Sequence, residues 1–218
     1  MTAKHKITSP WWFTDKILKK YLKISVPYLK GRLLDAGCGM KPYKDMFQCD
    51  EYVGIEMSAT FKPDVVGDLK NMDMFEDESF NSVLSNQVLE HIDDVEKVIA
   101  EMYRVLKPGG YLCVTVPFIS RLHGMPHDYW RFSPSGLKYL LEKNGYQIIT
   151  IEQMGGFLTT QIFLWQFYLY EKALKYTVTQ YLYSILLAVI NPFSLLLNYI
   201  DRDKTTPFNY LALARKKF

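Results

Sequence analysis

A chain of 218 residues fits one domain with a modest insertion. Apolar residues make up 49% of it, an ordinary globular share that allows a sizeable core. The net charge is +3 with both signs interspersed, so the chain lacks the basic footprint of a nucleic-acid partner and none is expected. The three cysteines, Cys38, Cys49 and Cys113, are odd in number and form no C-x-x-C pair. They read as buried thiols of a reducing compartment rather than a disulfide frame or a zinc site. Lys4 and Lys6 precede no unbroken apolar run, because Asp15, Lys16, Lys19 and Lys20 interrupt it. No signal peptide is therefore expected.

In chain order, Ser9-Pro10 reads as a cap and first turn of a helix. That helix carries Ile17, Leu18, Tyr21 and Leu22 at helical spacing and runs toward Leu29, with Gly31 as its end. Residues 1–31 thus form an N-terminal helical segment. From Arg32 onward strand, turn and helix alternate. Strands are expected at 33–36, 52–56, 64–68, 80–86, 111–116, 146–151 and 210–214. A helix from about Asp93 to Leu106 places Val95, Val98, Ile99, Met102 and Val105 on one face, and Lys107-Pro108-Gly109-Gly110 stops it. Ser133-Pro134 starts another helix, which Asn144-Gly145 ends. This alternation implies a mostly parallel sheet of seven strands covered by helices on both faces.

The first strand runs into Asp35-Ala36-Gly37-Cys38-Gly39, where glycines let the backbone turn sharply and approach a ligand. Pro42 stands where a dinucleotide motif would have its third glycine, which disfavours a nicotinamide enzyme. Glu56 ends the second strand, where a carboxylate can accept both hydroxyls of a ribose, and Asp68 with Leu69 follows the third. These acids lie at the carboxyl ends of consecutive strands, where open α/β sheets bind ligands.

These segments, together with Asn86-Gln87-Val88-Leu89-Glu90-His91 and Arg104-Val105-Leu106-Lys107-Pro108-Gly109-Gly110, resemble the methyltransferase type 11 family of class I enzymes. The resemblance covers roughly Arg32 to Ile151 and implies a Rossmann-like fold with S-adenosyl-L-methionine (SAM) as cofactor. On that resemblance, residues 32–218 are the methyltransferase domain. The Gly37–Gly39 loop lies against the amino-acid part of SAM and Asp35 helps hold its ammonium. Glu56 takes the ribose, Asp68 and Leu69 the adenine, and Asn86 contributes from the fourth strand. Met40-Lys41-Pro42 departs from the small or glycine-rich continuation of many relatives and leaves the path of the loop open.

The SAM sulfonium is already activated, so the protein mainly aligns donor and acceptor. A base is needed only where the acceptor must lose a proton. The segment 121–132 follows the fifth strand and opens on the same sheet edge, with His123, His127, Asp128, Tyr129 and Arg131 among aromatics. His127, Asp128 and, from the run after the fourth strand, His91 are the candidate catalytic groups. The competing reading is structural, with Arg131 pairing an acid and Tyr129 closing over the cofactor. Gly124 and Pro126 break any helical face shared by His123 and His127, and no metal site is expected.

Residues 153–204 form an apolar, helical insertion before the last strand. Gln153 to Tyr170 carries no charge and Tyr176 to Ile200 carries none, with Glu171, Lys172 and Lys175 between them. Three readings stand: a buried lid or homodimer surface, association with a membrane surface, and two bilayer spans. Each leaves it near the acceptor pocket and favours a small-molecule, glycan or lipid-linked acceptor. The expected location is cytoplasmic, peripheral at the inner face of a membrane in the second reading. The alternative function is a non-catalytic SAM-fold adaptor.

Overall fold

The computed structural model describes residues 5–201, 203 and 205–218. The outer parts of the N-terminal segment (1–4) and two positions of the insertion (202 and 204) lie outside the described residues. Seven strands form one sheet in the order β3-β2-β1-β4-β5-β7-β6. They are β1 (Arg32–Ala36), β2 (Glu51–Glu56), β3 (Val65–Val66), β4 (Phe80–Asn86), β5 (Leu106–Pro117), β6 (Tyr146–Met154) and β7 (Asn209–Lys216). β7 alone runs antiparallel, paired with β5 on one side and β6 on the other. The expected mostly parallel seven-stranded sheet is therefore the one observed.

Alternate residues of each strand feed two apolar layers, as a sheet buried on both faces requires. Leu34, Leu112, Val114 and Ala212 face one side, with α2 (Val95–Val105) and α3 (Pro134–Lys143) packed over them. Leu33, Cys113, Leu211 and Leu213 face the other, covered by α1 (Trp11–Ser25) and α4 (Phe157–Ala173). α2 starts where the Asp94 carboxylate accepts from the Lys97 backbone N–H at 3.1 Å. α3 starts in the same way at Ser133, whose hydroxyl accepts from Gly136 N at 3.1 Å.

Several boundaries move for physical reasons. α1 stops at Ser25, short of Leu29, because Pro27 has no N–H with which to continue the helical hydrogen bonds. The Lys107–Gly110 stretch belongs to β5 as an irregularity, the register jumping from Phe80 opposite Leu106 to Ser82 opposite Tyr111. The helix that strict alternation requires after β1 does not form. Residues 37–50 hold only a short 3₁₀ turn, Lys44–Met46. Lys41 takes φ +54, and Pro42 follows it, so the chain cannot enter a right-handed helix there. Cys38 and Cys113 are buried as expected, while Cys49 is only half-buried.

The insertion forms α4 and α5 (Thr177–Ile200). α4 is the covering element, burying Thr159, Thr160, Phe163, Gln166 and Phe167. α5 lies outside it, and its Tyr183, Leu187, Asn191 and Ser194 face inward. Asn191 ties three segments together: Nδ2 donates to the carbonyls of Ile7 (2.5 Å) and Ser9 (3.0 Å), and Oδ1 accepts from Gln166 at 3.1 Å. Among the described residues α5 is the one helix long and apolar enough to cross a membrane, with 22% of its most apolar window buried. α4 carries Phe163 and Phe167 into the core, and this burial opposes the reading of two bilayer spans.

Candidate active site

The carboxyl ends of β1, β2 and β4 open onto a cavity of about 450 Å³, within the ~300–1,000 Å³ usual for ligand pockets. Gly37, Glu56, Asp68 and Leu69 line it on one side, and Val88, His91, His127 and Tyr129 on the other. Gly37 sits at φ +80, and a Cβ there would meet Val88 Cγ2 at 2.4 Å, so only glycine allows this turn. The next glycine, Gly39, donates its N–H to Glu56 Oε2 at 3.1 Å. Met57 N donates to Oε1 at 2.9 Å. The two backbone donors fix the Glu56 carboxylate and leave a lone pair on each oxygen, the acceptor set that a vicinal diol needs. Asp68 Oδ1 accepts from Lys70 N at 2.9 Å, which leaves Oδ2 for an amino group. The donor and acceptor chemistry of this wall fits the adenosine half of SAM.

Three of the seven residues read as cofactor-binding stand off the cavity wall. Asp35 is 5% exposed, and its Oδ2 accepts from the Tyr52 hydroxyl at 2.5 Å. Burial, opposed by that hydrogen bond, pushes its carboxyl up from 3.8 to about 7. Gly39 acts on the cavity through Glu56. Asn86 Oδ1 accepts from Thr115 Oγ1 at 2.6 Å, and it is the following residue, Gln87, that reaches the cavity.

The loop after β5 folds back over the turn after β4. Tyr129 N and Trp130 N donate to the Glu90 carbonyl at 2.8 and 3.3 Å. Of the three candidate catalytic groups, His91 and His127 line the cavity, with His127 Nδ1 3.1 Å from the Tyr129 hydroxyl. His91 belongs to a 3₁₀ turn (Leu89–His91) ahead of α2 rather than to its first turn. Asp128 is held elsewhere. Its side chain is fully buried and takes both guanidinium nitrogens of Arg131, at 2.6 and 2.8 Å, plus His123 N at 2.8 Å. The Arg131 pair holds Asp128 well below the usual carboxylate range, so it has no proton to exchange near neutrality. The acid that Arg131 pairs with is therefore Asp128 itself, and its part is structural.

A second cavity of about 230 Å³ adjoins the first. Trp11 and Asp15 of α1, Phe163 and Phe167 of α4, and Arg121 and His123 of the loop line it. Gln87 is on the wall of both cavities, so one side chain marks where they meet. Sequence reading passed over Gln87 and Glu90 as parts of a motif. Their signal was position alone, directly after a strand whose end opens on the site.

Residues 34–114 match a family model described as a methyltransferase domain. Phosphoethanolamine N-methyltransferase 2 of Caenorhabditis elegans is 34% identical over 87 residues, which are 40% of this chain and 19% of that protein. The mitochondrial ubiquinone biosynthesis O-methyltransferase of Rattus norvegicus is 32% identical over 94 residues, 35% of this chain and 27% of its own length. The matches thus span about a fifth to a quarter of those relatives. Among solved structures, the [4+2]-cyclase SpnF superposes with a TM-score of 0.64 at 22% identity, covering 98% of this chain and 86% of that one. The Haemonchus contortus phosphoethanolamine N-methyltransferase 2, solved with SAM, gives 0.59 at 18% identity, covering 99% and 58%. These likenesses show the fold, and the family match falls on β1 through most of β5, the strands that carry Gly37, Glu56, Asp68 and Gln87. Residues 34–114 therefore match a methyltransferase domain, and the whole chain shares the fold of solved SAM-dependent methyltransferases.

Proposed function

We propose that the chain transfers a methyl group from SAM to a small-molecule, glycan or lipid-type acceptor. The observation that carries this reading is the pair of cavities joined at Gln87, one lined with groups suited to adenosine and the other with mixed polar and aromatic groups. When bound, SAM supplies an activated methyl for direct displacement. The chain's own residues then bind and align. Glu56 accepts from the ribose diol and Asp68 from the adenine amino group. Asp15, Arg121 and His123 orient the polar part of the acceptor, while Trp11, Phe163 and Phe167 exclude water. The names of the two relatives, one acting on phosphoethanolamine and one in ubiquinone biosynthesis, support a small-molecule acceptor. Labelled methyl from SAM, offered to extracts of the native host with lipid and aqueous fractions counted separately, tests the proposal. Incorporation into neither fraction, by a protein that binds SAM, would sink it.

We further propose a cytoplasmic location, peripheral at a membrane. The outward face of α5 supports this with Val178, Leu182, Val189 and Leu196, each more than half exposed. Glu171 is neutralised by Arg121 at 2.8 Å, which leaves Lys172 and Lys175 beside that face without an ion pair among the described residues. Two cations next to an apolar face suit an anionic lipid surface. The second reading is a non-catalytic adaptor or homodimer that uses this same face.

A further inference from the structure

The Glu90 side chain is fully buried, and neither carboxylate oxygen has a hydrogen-bond partner. A buried carboxylate without a hydrogen bond costs several kcal/mol, which a cation shared with neighbouring ligand groups would offset. Two imidazoles face it, with His123 Nε2 3.8 Å and His91 Nε2 3.9 Å from Oε1. Each ring is held from its far side by a backbone carbonyl: His91 Nδ1 lies 2.6 Å from His127 O, and His123 Nδ1 lies 3.2 Å from Arg121 O. A carbonyl only accepts, so both Nδ1 atoms carry a proton and both Nε2 atoms face Glu90, as an N–H where the ring is charged and as a lone pair where it is neutral. Metal-ligating histidines are oriented by this same arrangement of outer partners.

We propose that Glu90, His91 and His123 bind a divalent transition-metal cation between the two cavities. The three ligand atoms lie within 4.8 Å of one another. Ligands about 2.0–2.2 Å from a zinc-sized ion stand roughly 3–3.5 Å apart, so the two Glu90–imidazole distances need to close by a few tenths of an ångström and the widest pair by up to about 1 Å. Two imidazoles and one carboxylate select zinc, manganese, iron or cobalt over magnesium or calcium, which take oxygen ligands. Three protein ligands leave positions open to water or an acceptor oxygen. The backbone is shaped for the cluster. The two rings meet edge to face at 4.9 Å. Gly124, at φ +68, passes so close that a Cβ would lie 2.7 Å from His91 Cε1. The structure gives His123 the partners Glu90 and His91, from the other side of the sheet edge.

Cation binding does not depend on the methyl-transfer reading; a role for the cation in holding the acceptor does. The test uses the full chain stripped with chelator and dialysed against Zn²⁺ or Co²⁺. The expected result is about one metal per chain and a visible Co²⁺ ligand-field band. His123→Ala and His91→Ala, both at partly exposed positions, should each weaken uptake about tenfold or more while melting like the wild type without metal. Glu90→Gln should do the same where it folds. Uptake below about a tenth of an equivalent, or unchanged in both histidine variants, overturns the site. SAM titrated into the same samples separates the two proposals. SAM binding without metal uptake removes only this one, and metal uptake without SAM binding removes only the methyltransferase reading.

Discussion

Neither oxygen of Glu56 is saturated by its backbone donor, and the carboxylate stands on the cavity wall in a fixed orientation. Glu56→Ala should therefore weaken SAM binding by about 1–3 kcal/mol, the range for losing a buried hydrogen-bonded partner. Calorimetric titration checks this, and an unchanged dissociation constant would remove the ribose assignment. Asp35 differs, since burial raises its carboxyl from 3.8 to about 7. Between those values the folded protein holds a proton that the unfolded chain has released, so stability falls as pH rises through this window and levels off above it. Asp35→Asn should flatten that slope in urea titrations run at about pH 5 and about pH 8. For Asp128, truncation leaves Arg131 without its partner. Asp128→Ala should lower stability by roughly 3 kcal/mol, the low end for a broken buried pair because Arg131 keeps part of its guanidinium in water. Glu56 and Asp68 were legible in the sequence because a strand end locates them. The burial of Glu90 was not, because it arises when a loop thirty-odd positions later folds back over it.

At the scale of elements, strands were the most legible, since each is a short apolar run bounded by turn residues. The missing helix after β1 was signalled only by Met40-Lys41-Pro42, whose effect on the backbone becomes definite once Lys41 is seen at positive φ. The order of the two inserted helices was hidden because both are apolar around most of their circumference. Packing decided it: α4 carries Phe163 and Phe167 into the core, and α5 rests on α4 through Tyr183, Leu187 and Asn191. What remains is an apolar stripe on α5 facing away from the protein. Replacing Leu182, Val189 and Leu196 together by glutamate should abolish flotation with anionic vesicles and leave the melting temperature near that of the parent. Flotation of the triple variant equal to the parent's would remove the membrane reading. A dimer in size-exclusion chromatography that becomes a monomer in this variant would favour the homodimer in its place.

For the molecule as a whole, a ligand that binds only the folded state stabilises it by mass action. SAM at about 100 times its dissociation constant should add about 2.7 kcal/mol and raise the melting temperature, whereas NADH should not. Equal shifts with both would point to a different nucleotide site. The chain order of the sheet has a further consequence. β7 occupies an interior place between β5 and β6, yet it follows both of them and the whole α4–α5 segment in sequence. During synthesis, β5 and β6 leave the ribosome with bare edges and stay so while more than fifty further residues, many of them sticky, are added. The nascent protein thus passes through a stage in which its most aggregation-prone surfaces coexist, and a chaperone has its clearest opportunity to engage before the final strand arrives.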